Sequence, residues 1–144
     1  MKSISKAFYL FMVIALLAGM LGMQSVKPVQ AASQALRISQ AYGAGGNDGA
    51  TYTHDFIEIY NSSDSAINLT GWSVQYASSA GTSWTVTALT GTIPANSYYL
   101  IQEAKGNGGT TPLPTPDATG STAMQGASNF KIALVHSTTA LSGS

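Results

Sequence analysis

Cysteine is absent from all 144 residues. No disulfide can form within the chain, and no thiol is available as a nucleophile. Small exported domains often lean on disulfides, so here the apolar core must hold the fold without that help. Charge is also scarce, with six basic and six acidic side chains in the whole chain. His54 and His136 are the only histidines, and neither sits in a metal-ligand spacing such as His-x-x-x-His or His-Glu-x-x-His. His54 and Asp55 are neighbours in a strand pattern, and such neighbours point to opposite faces, which argues against an acid–base pair. No Gly-x-Ser-x-Gly elbow occurs. Gly43-Ala44-Gly45-Gly46 has no helix after it to present an N-terminus to a phosphate. Six scattered carboxylates and two histidines do not make a hydrolase. By itself, the chain is expected not to be an enzyme and to carry no cofactor.

What is present begins with an export signal. Lys2 and Lys6 precede a charge-free apolar run from Ala7 to Met23, and Val29-Gln30-Ala31 follows. This is the anatomy of a signal peptide over residues 1–31, cleaved after Ala31 or Ala32. An uncleaved anchor is the rival reading, because the run is close to the length of about 17 residues at which a helix can span a bilayer. No cysteine offers a lipid attachment point. Cleavage would leave a short leader, residues 32–35, and then one domain, residues 36–144, in a secreted, extracellular protein with no membrane segment. Arg37, Lys105 and Lys131 would then face six carboxylates, a net charge of −3. That balance lacks the basic stripe needed to neutralise phosphates and argues against direct nucleic-acid binding. A domain of this size buries about two-thirds of its unfolded-chain surface, enough for one core.

Beyond the signal the pattern is that of short strands and turns. Leu36–Tyr42 alternates, which places Leu36, Ile38, Gln40 and Tyr42 on one face. A flexible glycine-rich loop is expected over residues 43–54. In Asp55–Asn61, Ile57 and Ile59 share one face and Phe56, Glu58 and Tyr60 the other. Trp72, Val74 and Tyr76 share a face of the next strand, and Trp84, Val86 and Ala88 of the one after, so both tryptophans are expected in the core. Tyr98–Gln102 and Phe130–His136 are further strands. The long loop between them is rich in glycine, proline and threonine, with room for a short strand near Thr122–Met124. Asn61-Ser62-Ser63 and Asn68-Leu69-Thr70 match the glycosylation sequon but read as turn residues. No helical periodicity follows the signal, and the pattern argues for an all-β sandwich.

The run Asp55-Phe-Ile-Glu-Ile-Tyr-Asn, then Ile67-Asn-Leu-Thr-Gly-Trp-Ser-Val-Gln-Tyr, then the stretch from Gly81 to Gln102, resembles the lamin tail domain family in its bacterial secreted branch. The resemblance covers most of residues 36–144 and implies an immunoglobulin-like β-sandwich. It also implies that the last strands are missing, since members commonly continue past this point with a cysteine and one or two strands. A sandwich cut there would have an unpaired edge. The function expected from it is a non-catalytic binding or tethering module of an exported protein. Its partner would be a surface polymer, another protein or a fused catalytic domain. As an alternative, the family implies the N-terminal accessory domain of an extracellular endonuclease or phosphoesterase, with the catalytic domain beyond residue 144. A carbohydrate-binding module using exposed tyrosines is a second alternative.

Two sets of side chains are candidate sites. Asp48, Asp55 and Asp117 lie in or beside loops and have the oxygen chemistry that calcium requires, though not the spacing of a calcium loop; Asp64 shares that setting. Tyr42, Tyr52, Glu58 and Tyr60 are candidates for a contact surface, because tyrosine offers a flat apolar face with a polar tip. Glu58 is the one charge in its apolar strand, and its alternatives are a pairing with Arg37 or simple exposure to water.

Overall fold

The computed structural model describes residues 35–126 and 129–143. The expected signal peptide lies outside the described residues. The described residues hold nine strands in chain order: β1 (Leu36–Tyr42), β2 (His54–Asn61), β3 (Ile67–Asn68), β4 (Ser73–Ser78), β5 (Thr85–Ala88), β6 (Thr92–Ile93), β7 (Ser97–Lys105), β8 (Ala118–Thr119) and β9 (Phe130–Val135). They form a four-stranded sheet β1-β2-β7-β8, a three-stranded sheet β5-β4-β9 and the small pair β3-β6. All pairings are antiparallel except β7 with β8. Among the described residues there is no helix, and so none long and apolar enough to cross a membrane.

Alternation explains the core. Ile57 and Ile59 of β2 pair with Ile101 and Tyr99 of β7, and all four are buried. Val74 of β4 pairs with Leu134 of β9, and Tyr76 with Ile132; these four belong to the same apolar cluster. Leu69, Leu89 and Ile93 complete that cluster from the connections around β3 and β6. Trp72 packs against the core as expected, with His136 stacked on it at 4.7 Å.

One of the expected faces is split and another is reversed. In β1 the register slips between Ile38 and Gln40, so Ile38 pairs with Ile59 while Gln40 pairs with Glu58 and Tyr42 with Phe56. The extra residue, Ser39, is a bulge that turns Gln40 and Tyr42 away from the core. In β5, Thr85 pairs with Tyr76 and Thr87 with Val74, which puts the threonines on the Val74 side, with Thr87 buried and Thr85 exposed at the strand end. Trp84, Val86 and Ala88 therefore point the other way, and Trp84 is not part of the core cluster. Its ring nitrogen donates to Gly143 O at 3.0 Å, and the Lys131 ammonium lies 5.5 Å from its ring centre. The chain from Ser137 to Gly143 runs over that outward face. Ser73 Oγ donates to Ser137 O at 2.6 Å, Gln75 Nε2 to Thr139 O at 3.0 Å, and Leu141 N to Gln75 Oε1 at 2.8 Å.

The glycine-rich loop is packed rather than loose. Gly43, Gly45 and Gly46 are buried. A Cβ on Gly45 would collide with the His54 carbonyl, so only glycine allows this approach of loop to strand. The short strand expected near Thr122–Met124 lies instead at Ala118–Thr119.

Asn61 shows how a side chain can replace a ladder. It is fully buried at the end of β2. Its amide donates to Ser65 O at 2.8 Å, Pro94 O at 2.9 Å and Ile93 O at 3.3 Å, and its oxygen accepts Ser63 N at 3.0 Å. The turn reading of its sequon is thus correct, with the side chain facing inward. Asn61→Ala would strand these buried groups and is expected to destabilise the domain by about 3 kcal/mol. Urea unfolding measures this; a loss below about 1 kcal/mol would contradict the staple role.

Candidate functional site

The outer face of β1, β2 and β7 is built from three rows of side chains that the register places side by side. Arg37, Tyr60 and Tyr98 form the first row, Gln40, Glu58 and Leu100 the second, and Tyr42, Phe56 and Gln102 the third. The Ser39 bulge makes the second and third rows possible, because it returns Gln40 and Tyr42 to this side.

In the first row, the Tyr60 and Tyr98 rings lie 4.7 Å apart, and the Arg37 guanidinium carbon is 5.2 Å from the Tyr60 ring centre. Tyr98 is 60% exposed, an unusual state for so large an aromatic. Arg37 therefore lies over a ring rather than against Glu58. Glu58 accepts a hydrogen bond from Ser39 Oγ at 2.6 Å through one oxygen and is half-buried. In the third row Tyr42 stacks on Phe56 at 5.3 Å, and Tyr52 stands perpendicular to both rings at 5.6 Å. The Tyr52 loop is held by Thr53 N donating to Thr111 O at 3.0 Å. This also brings Leu113 and Pro114 over the sheet, and a cleft of about 160 Å³ lies between them and Gln40, Tyr52, Phe56, Glu58 and Leu100. The four residues expected as a contact surface thus share one sheet face. Arg37, Phe56, Tyr98 and Leu100 belong with them but were not singled out from sequence; they share the strand parity of Glu58 and Tyr60, and that parity was the available signal.

The calcium candidates do not come together. Asp48 is exposed in the glycine loop. Asp117 Oδ2 accepts Leu100 N at 2.8 Å, on the β7 edge. Asp55 is buried, and its two oxygens accept Gly45 N at 2.8 Å and Met124 N at 2.7 Å. Among the described residues no group of three or more His, Asp or Glu side chains could hold a metal ion.

Asp55 has instead a neighbour that sequence reasoning missed. Glu103 continues the inward parity of Tyr99 and Ile101 and is buried among them. Its oxygens accept Thr87 Oγ1 at 2.6 Å and Thr122 N at 2.8 Å. Burial pushes the Glu103 carboxyl above its ordinary range, the bonds from Thr87 and Thr122 pull it partly back, and the nearby Asp55 raises it further. Burial likewise raises Asp55, against the bonds from Met124 and Gly45 and the influence of His54. Together the two acids pin the backbone of residues 122–124 to the sheet through alternate N–H groups.

The sheets, facing one another across a shared apolar core, define an immunoglobulin-like β-sandwich module. Residues 29–142 match the Lamin Tail Domain family, and the chain belongs to that family. The family consists of immunoglobulin-like, non-catalytic domains. A comparison with curated proteins finds no match.

The raised acids give a signed pH dependence. Both bind a proton more tightly in the folded state than in the unfolded chain, so their contribution to stability is full below the ordinary carboxylate range, about pH 4, and declines as pH rises through the raised folded values. Glu103→Gln keeps the acceptor for Thr122 N–H and is expected to flatten this decline when urea midpoints are compared between about pH 4 and pH 8. Equal slopes in the variant and the parent would show that Glu103 is ionised without penalty.

Proposed function

We propose that this domain is a non-catalytic binding or tethering module of an exported protein, which engages a surface polymer or protein partner through the outer face of β1, β2 and β7. The observation that carries this reading is the first row: Tyr98, 60% exposed, packed beside Tyr60 with Arg37 over the Tyr60 ring. Tyrosine and arginine are enriched among the residues that dominate binding energy, because they combine a large rigid contact area with a polar tip. Held on a sheet rather than a loop, these rings lose little freedom when a partner covers them. A domain fused beyond residue 144, including a nuclease or phosphoesterase, would use the same face as its docking surface.

Retention of the purified protein on the washed envelope of the producing cell tests this. Replacing Tyr60 and Tyr98 together by alanine is expected to weaken retention about tenfold or more, the usual cost of losing two anchors of this kind. Equal retention of the double variant would remove this face from the function.

A further inference from the structure

β5 is an edge of its sheet and pairs with β4 on one side only. Leu89 N donates to Trp72 O at 2.8 Å just beyond the strand, and bonded pairs alternate along an antiparallel ladder. Thr85 and Thr87 therefore bond to β4, while the backbone N–H and C=O groups of Val86 and Ala88 point away from it. Those four groups have no hydrogen-bond partner among the described residues. A few residues earlier the chain itself uses this edge: Ser142 bridges Ser83 antiparallel, and Gly143 N donates to Thr82 O at 3.2 Å. Beside the unpaired groups lies a cleft of about 490 Å³, with Thr85–Ala88 as one wall and Thr119–Thr122 as the other. No lining side chain is charged or aromatic. At its floor Thr87 Oγ1 and Thr122 Oγ1 come within 3.4 Å, above the buried Glu103. One end is closed where the Tyr99 hydroxyl donates to Thr90 O at 2.8 Å and lies 3.4 Å from Asp117 O.

We infer that this cleft is a strand-addition site, which takes one extended, uncharged peptide segment of a partner protein along the β5 edge. The groups left unsatisfied on its wall are backbone groups at strand spacing, and an extended peptide is the ligand that presents their complement. A residue within packed sheets fills about 160 Å³, from a strand spacing of about 4.8 Å, a rise of about 3.3 Å and a sheet separation of about 10 Å. The cleft of about 490 Å³ thus has room for about three residues of one strand, the span from Val86 to Ala88. It has no room for the sheet of a second folded copy. Peptide residues opposite Val86 and Ala88 would each exchange two backbone bonds with the edge. The residue between them shares the side of Thr87 and points at the Thr87 and Thr122 hydroxyls, so Gly, Ala or Ser fits there. A charged side chain would lose water and find no opposite charge in the lining. The outer face of β1, β2 and β7 takes no part, so the inference stands apart from the tyrosine reading.

The test follows backbone amide exchange in the purified protein by NMR while the peptide acetyl-Thr-Val-Ala-Val-Thr-amide is added. The same peptide with both valine nitrogens methylated is the control, because it keeps the side chains and loses the donors. The Val86 and Ala88 amides are expected to exchange fast in the free protein and about tenfold more slowly at about 5 mM peptide, with Thr87 unchanged. The methylated peptide is expected to bind at least about tenfold more weakly. Val86→Pro removes an edge donor that the fold does not use, so it should weaken the peptide about tenfold and keep the folded amide dispersion. If that variant does not fold, the methylated peptide alone decides. Equal binding of the two peptides would overturn the inference, as would unchanged exchange at about 5 mM peptide. Protection of Val86 and Ala88 in the free protein would also overturn it, and a rise of that protection with protein concentration would assign the edge to a second copy. The same amides shifted by a neutral methyl glycoside would assign the cleft to a sugar instead. Each of these failures leaves envelope retention through Tyr60 and Tyr98 to be judged on its own result.

Discussion

Asp55 and Glu103 hold an irregular stretch of chain where no strand does. The segment from Thr122 to Met124 makes one backbone bond to β7, from Ala104 N to Thr122 O. Its N–H groups at 122 and 124 go to the two carboxylates. Buried acids are costly unless their oxygens are hydrogen-bonded, and here every oxygen accepts at least one bond from the backbone or from Thr87. The inward threonine at position 87 follows from this. A hydroxyl facing the core would be unsatisfied beside an apolar neighbour, and Glu103 gives it a partner.

The same device recurs elsewhere in the sandwich. Asn61 ties the end of β2 to the 63–65 turn and to the carbonyls of Ile93 and Pro94. Gln75, fully buried, fastens the 139–141 stretch across the outward face of β4. In a chain without cysteine and with few charges, neutral amides and two carboxylates join segments that are far apart in sequence. Every buried side-chain polar atom among the described residues has a hydrogen-bond partner. Such groups bring uniqueness more than raw stability, since each is strongly unfavourable in any other arrangement.

The contact face depends on one inserted residue. Without the Ser39 bulge, Gln40 and Tyr42 would point toward Ile57 and Ile59, and Phe56 would lose the ring stacked on it. The bulge places an aromatic corner beside a carboxylate, while the apolar face of β2 remains intact behind them. Bulges re-aim side chains where a regular ladder cannot. The proline-rich stretch from Pro112 to Pro116 leads into β8 and contributes Pro114 to the cleft.

Alternation in Asp55–Asn61 and Trp72–Tyr76, with the short strands and turns around them, was sufficient from sequence alone for an all-β sandwich and for part of its core. The split face of β1 and the reversed face of β5 show its limit. A period of two states that side chains alternate but not which set turns inward. In β1 the parity changed at a bulge, and in β5 it was decided by the register with β4. Glu58 and Tyr60 could be grouped because they share the parity of one strand, and Tyr42 and Tyr52 because they flank the glycine loop. The pairing of Asp55 with Met124, 69 residues away, was not legible, nor was the convergence of Asp55 and Glu103 on one segment. Local pattern determined the long strands of this protein and the core faces of β2 and β4. Tertiary structure alone decided which polar groups would be buried together, because a buried carboxylate is tolerable only where distant backbone N–H groups arrive to meet it.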